Sequence, residues 1–281
     1  MRVLCCTNRD IVSNAALNLL LPTLSRHDVQ IALTEQVGSP KAIADEPPLR
    51  RELRAVEQWL PNEVLFPLLE RAGWPDDGAR YLSFAEMERH RGIPVHPLPN
   101  PNSPDGLSTL RALAPDIVVS IRYGAIFRDA AITVPRRGVL NLHAGLLPAY
   151  RGILAPFRAL TAGDREIGCT LHYITDGTID TGPVIGEARV AVQRDHSLFW
   201  HILALYPGGT TLIMDALALL ENGERPQSSA QSTGSGAYYS SPTADEWDRF
   251  ARAGWRVSDP RDLRELWSRY LPLADATTGT G

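Results

Sequence analysis

The stretch PDIVVSIRYG (115–124) decides the fold. Ile117, Val118, Val119, Ser120 and Ile121 form an unbroken, mostly β-branched run, the pattern of a strand covered on both faces. Tyr123-Gly124 ends the run, a short helix is expected around 127–132, and another over 107–113 stops before Pro115. Strands buried on both faces belong to parallel sheets whose crossovers are helices. The N-terminal side agrees. Residues 2–6 read as a buried strand, Thr7-Asn8-Arg9-Asp10 as a polar turn, and 15–24 as an apolar helix capped at Ser13 or Asn14. Residues 29–34 read as the next strand, which completes a β-α-β unit.

On the other side, 139–142, 169–174 and 184–192 read as strands, and 197–221 as two helical stretches parted near Pro207-Gly208-Gly209. Between the flanks, 38–60 is charged and helical in propensity, with Pro40, Pro47 and Pro48 at its front. Trp59, Phe66 and Trp74 give 61–92 enough apolar area to pack as helices. Residues 93–96 are a weak strand and 97–104 a turn-rich loop. The fold expected is α/β, a Rossmann-like, mostly parallel sheet with helices on both faces and a short C-terminal helical tail. The boundary falls at 222, because Ser, Gly, Pro and Gln dominate 222–244. Residues 1–222 are thus expected to be the main unit and 223–281 an extension of loop and short helices, disordered over 274–281. Trp247, Trp255 and Trp267 either anchor that extension or line a homodimer interface.

Composition narrows the function. The 281 residues carry 28 Lys and Arg against 32 Asp and Glu, a net charge of −4, which argues against a sequence-independent nucleic-acid coat. Cys5, Cys6 and Cys169 make no disulfide framework, and they read as buried thiols in a reducing compartment. No stretch of 18 consecutive apolar residues suggests a membrane span, and the start MRVLCCTNRD is too polar for a secretory leader. A cytoplasmic protein without membrane contact is expected. No GxGxxG follows the first strand, and no GxxxxGK[ST], CxxC, HExxH or GxSxG occurs. No metal is expected, since His143, His172 and Asp180 lack a thiolate or fourth ligand.

One region is dense in groups that a hydrophobic core would not choose: NLHAGLLPAYRG (141–152) and TLHYITDGTIDTGPVI (170–185). Asn141 and His143, two apart at the end of a strand, share a face and enter the crevice beyond the sheet. An imidazole can take a proton from an attacking amine, an amide can donate to a developing oxyanion, and a carboxylate such as Asp180 can steady the imidazolium. No Ser or Cys stands beside them to form an acyl-enzyme. The competing reading makes His143 a satisfied core histidine and Asp180 a turn carboxylate.

These motifs resemble the formyltransferase family that uses 10-formyltetrahydrofolate: Asn141-Leu142-His143, Leu146-Leu147-Pro148, Arg151-Gly152 and Asp180-Thr181-Gly182 stand in the family's order. The resemblance is good over 90–222 and reduces to the β-α-β plan before that. It implies that Asn141, His143 and Asp180 are catalytic. It implies donor contacts along Ser120, Ile121, Tyr123, Gly124 and Ile126 and along Thr175, Asp176, Gly177 and Ile179. Arg122, Tyr150, Arg151 and His172 would touch substrate or support those groups. Gly145 departs from the family, which commonly has Ser there. The methionyl-tRNA branch carries a β-rich C-terminal domain, and the segment after 222 does not read as one. The resemblance therefore implies a small-molecule amine acceptor, an amino sugar or an amino-acid-derived precursor, and no nucleic acid. A 10-formyltetrahydrofolate hydrolase and a non-catalytic folate-binding module are the alternatives.

Overall fold

Alternation along the first strand sorts the core into two layers. In the computed structural model, which describes residues 1–34, 45–232, 234 and 236–272, Val3 and Cys5 of β1 (Arg2–Asn8) enter one hydrophobic cluster. Leu4 and Cys6 enter the other. A strand with both faces apolar must be central, and β1 pairs in parallel with β2 (Asp28–Thr34) on one side and β4 (Ile117–Ile121) on the other. β3 (Val95–Pro97) extends the first wing, and β5 (Val139–His143), β7 (Glu166–Ile174) and β8 (Val184–Ala191) extend the second. Among the described residues the order is β3-β2-β1-β4-β5-β7-β8, and β7 alone runs opposite to the other strands. The winding reverses between β1 and β4, the switch point where open α/β sheets leave a crevice.

The first crossover helix, α1 (Ile11–Leu20), begins earlier than its apolar run suggests. Asp10, not Ser13 or Asn14, is the N-cap, and its Oδ1 accepts from the Ser13 amide at 2.7 Å. Ser13 and Asn14 are buried instead, and Asn14 accepts from the Tyr270 hydroxyl at 2.7 Å. α2 (Pro48–Arg54) runs through two wider π-helical stretches, Ala55–Trp59 and Pro61–Leu65, into α3 (Phe66–Ala72). Such widened turns cluster at functional sites, and the first of them carries Glu57 and Gln58. Residues 38–44 of the expected helix and the 274–281 tail lie outside the described residues.

α4 (Phe84–Arg91) leads to β3; α5 (Pro104–Leu113) and α6 (Asp129–Ile132) cover the second face through Leu110 and Ala131. α7 (Ala155–Ala162) precedes β7. α8 (Leu198–Ala204) and α9 (Tyr206–Glu221) meet at Leu205, close to the expected Pro207-Gly208-Gly209; Pro207 itself sits in the first turn of α9, where a missing N–H costs nothing. By length and composition Leu198–Glu221 could cross a bilayer, yet Ile202, Leu205, Tyr206, Ile213 and Leu217 face the core. Beyond the expected boundary at 222 come β9 (Ala237–Tyr239), α10 (Ala244–Arg252) and α11 (Pro260–Ser268). Trp247, Phe250, Trp255 and Tyr270 are buried in the main cluster, with Phe157 stacked on Phe250. β9 pairs in parallel with β6 (Tyr150–Gly152).

Candidate active site

At the carboxyl ends of β4 and β5 lies a cavity of about 480 Å³, within the size range of small-molecule sites. Asn141, His143 and Asp180 all line it. The pleat accounts for the first two: Leu140 and Leu142 point into the main core, so Asn141 and His143 leave on the opposite face. Asp180 comes from the β7–β8 connection and holds a left-handed backbone, φ 56°, that favours glycine or Asn/Asp.

The three groups form one network. Asp180 Oδ2 lies 3.3 Å from His143 Nδ1 and accepts from the Gly152 amide at 2.9 Å. The Tyr150 carbonyl can only accept, so His143 donates to it from Nε2 at 2.6 Å. Nδ1 is therefore the nitrogen that faces the carboxylate. His172, nearly fully buried, donates from Nδ1 to the Tyr173 carbonyl at 2.9 Å, which leaves Nε2 to accept from Asn141 Nδ2 at 3.0 Å. Asn141 Nδ2 also reaches Asp180 Oδ1 at 3.4 Å, and its Oδ1 accepts from Ser120 Oγ at 2.8 Å, which fixes the orientation of the amide. Burial by itself would push the Asp180 carboxyl up, but His143, His172 and the Gly152 N–H hold it below its ordinary value.

The other expected residues divide. Tyr123, Gly124, Ile126 and Ile179 line the cavity; Ser120, Ile121, Thr175, Asp176 and Gly177 are not among its lining residues. Ser120 acts through Asn141, and the Ile121 carbonyl is taken by Thr7 Oγ1 at 2.7 Å. Asp176 caps its own loop, accepting from the Thr178 amide at 2.8 Å. Arg122 lines the cavity but is tied to Asp10 at 3.2 Å and Glu57 at 2.9 Å. Burial raises the Glu57 carboxyl against the pull of Arg122. Tyr150 serves the site through its carbonyl, while its hydroxyl donates to Asp164 at 2.7 Å. Arg151 faces the Gly236 carbonyl at 3.5 Å. Among the described residues no group of three or more His, Cys, Asp or Glu is placed to hold a metal ion. Gly145 has a steric reason: a Cβ there would lie 2.5 Å from Ala155 Cβ and 2.7 Å from His143 Nε2.

Sequence reasoning missed Asn8, Arg50, Glu57, Gln58, Leu154 and Tyr238, which also line the cavity. Asn8, just past the first apolar run, was legible as a residue at a strand's carboxyl end. Tyr238 was not, because only its pairing with β6 brings it here.

Residues 99–198 match the family model described as formyl transferase. A methionyl-tRNA formyltransferase of Xanthomonas campestris pv. campestris is 40% identical over 144 residues, covering 50% of this chain and 46% of that protein. The chain thus spans about half the length of the curated relatives it matches. Among solved structures, a glycinamide ribonucleotide transformylase from Symbiobacterium toebii superposes with a TM-score of 0.55 at 19% identity, covering 83% of this chain and 94% of that one. An N-formyltransferase from Helicobacter canadensis, solved with folinic acid and dTDP-3-aminofucose, superposes with a TM-score of 0.53 at 16% identity, over 85% of this chain and 71% of that one. The sequence likeness to formyl transferases thus spans residues 99–198, and the likeness to the solved formyltransferases is one of fold.

Proposed function

We propose that this protein transfers a formyl group from 10-formyltetrahydrofolate to the amine of a small molecule, such as an amino sugar or an amino-acid-derived precursor. The observation that carries the reading is the convergence of Asn141, His143 and Asp180 on one wall of a cavity at the sheet's switch point. The cavity suits the donor: Tyr123, Gly124, Ala125 and Ile126 border it along the β4–α6 connection, and Leu142, Ile179 and Pro156 supply apolar walls. Main-chain groups of that kind can bind the amide-like edge of a pterin.

When bound, the donor supplies a formyl carbon attached to a nitrogen leaving group. Asn141 holds its amide at that wall and can exchange the long 3.4 Å contact with Asp180 for a hydrogen bond to the formyl oxygen as negative charge develops. His143, whose Nε2 proton is committed to Tyr150, receives the amine's proton at Nδ1, and Asp180 steadies the resulting imidazolium from 3.3 Å. The same proton then passes to the departing nitrogen. His172 and Ser120 keep the Asn141 amide from rotating.

An aminoacyl-tRNA acceptor is a second reading, favoured by the names of the sequence relatives. Those relatives match about half of this chain and less than half of their own length, so their acceptor does not carry over by likeness alone. Incubation with 10-formyltetrahydrofolate and a panel of amines, including aminoacyl-tRNA, tests the proposal by following deformylated folate and the acceptor's gain of one formyl group. Formyl transfer to a small amine is the expected result. Formate release without an acceptor would make the protein a hydrolase, and tight folinic acid binding without either reaction would make it a folate-binding module.

A further inference from the structure

Residues 229–231 and 237–239, behind the site, touch the backbone of both sides of the His143–Asp180 pair. Ser229 exchanges two hydrogen bonds of 2.8 Å with Val184, at the start of β8. Two residues on, Gln231 uses both amide hydrogens of Nε2: one goes to the Asp180 carbonyl at 3.0 Å, the other to the Gly182 carbonyl at 2.7 Å. The second stretch is β9, which pairs with Tyr150, Arg151 and Gly152. Those residues supply the carbonyl that accepts from His143 and the amide that donates to Asp180.

The connection carrying Asp180 needs such a hold. Its left-handed φ of 56° is strained for a residue with a side chain, and it persists where the surroundings over-determine it. On its sheet side the backbone is pressed against β7: a Cβ on Gly182 would lie 1.7 Å from the Tyr173 carbonyl oxygen. Gln231 closes the other side. Its Oε1 is buried without a hydrogen-bond partner, so the two donor bonds alone hold the side chain.

We propose that Gln231 is a positioning residue for Asp180: by clamping the Asp180 and Gly182 carbonyls it fixes the left-handed turn that aims the carboxylate at His143. The inference rests on the function proposed above, because it gives Asp180 a catalytic part. It also assigns the segment after residue 222 a share in the reaction rather than packing alone.

Gln231→Leu removes both donors at similar length, and Gln231→Glu replaces them with an acceptor facing two carbonyls. Both variants should lower kcat by about 10²-fold, the scale of a misplaced catalytic group, with KM for the folate donor nearly unchanged and the chain still folded. The pair should also be coupled: once Asp180→Asn has been made, adding Gln231→Leu should lower kcat no further. An unchanged kcat in both variants, or losses that multiply with that of Asp180→Asn, would overturn the role. A readout without turnover separates this from failure of the proposed function. The Gly152 amide, which donates to Asp180 Oδ2, should shift in the ¹H–¹⁵N spectrum of Gln231→Leu and exchange faster with solvent. If it keeps its wild-type shift and protection, Gln231 does not place Asp180, whatever reaction the protein performs.

Discussion

His143 with Asp180 and His196 with Asp262 are two imidazole–carboxylate pairs in one chain, at 3.3 and 2.9 Å, built for opposite ends. Asp262 is closed off. It accepts from Ser197 Oγ at 2.5 Å, from the Ser197 amide at 3.1 Å and from His196, whose ring stacks on Trp200 with centroids 4.1 Å apart. Ser197 is the N-cap of α8, so this carboxylate ties α11 of the tail to a core helix. Asp180 is also buried but borders the cavity, and its nearest imidazole stands beside open space. A saturated carboxylate contributes stability; one whose partner can gain and lose a proton at a cavity wall is suited to chemistry.

The largest expected effect separates the two pairs by activity. His143→Ala should lower turnover by about 10² to 10⁴-fold and Asn141→Ala by about 10² to 10³-fold, with Tm and folate affinity nearly unchanged. Folded His143→Ala with turnover within about threefold of wild type would leave His143 a core histidine and erase the contrast. Asp262→Ala should do the reverse, lowering unfolding free energy in urea by about 3 kcal/mol while activity per folded molecule persists. Loss of activity without loss of stability in that variant would place the tail clamp in the reaction.

Acid sharpens the comparison further. Burial would push the Asp262 carboxyl up, but Ser197 and His196 hold it below its ordinary 3.8, as their counterparts do for Asp180. A carboxyl depressed in the folded state stabilises the fold above its unfolded value and loses that contribution as pH falls through the folded one. Urea midpoints should therefore drop below about pH 4, and Asp262→Ala should flatten that acid limb. An equally steep limb in the variant would show that Asp262 carries none of it. The smallest effect is a control away from both pairs. Gly73, at φ 63° with open space around it, ends α3, so Gly73→Ala should cost about 1 kcal/mol and leave turnover untouched. A turnover loss there would mean that stability alone depresses activity, and the other variants would need rereading.

Much of the frame was legible. The run at 117–121 could only be a doubly covered strand, and β4 has those bounds. Asn141 and His143 were legible as neighbours because a strand's period is two. Local signals misplaced the start of α1, since Ser13 and Asn14 look like caps but are polar residues buried by the tail through Tyr270. The break between α8 and α9 was legible to within two residues of Pro207, which a helix tolerates in its first turn.

The sequence by itself determined the central strands, the helices between them and the residue types able to perform acyl transfer, because these follow from periodicity and side-chain chemistry within a few positions. Only the tertiary structure decided that Asp180 meets His143, that His172 and Ser120 orient Asn141, and that the tail returns through Gln231 and β9 to the site. Those pairings join positions tens of residues apart. Three residues in a Gly- and Ser-rich stretch carry no local signal for a strand whose partner, β6, lies far back in the chain.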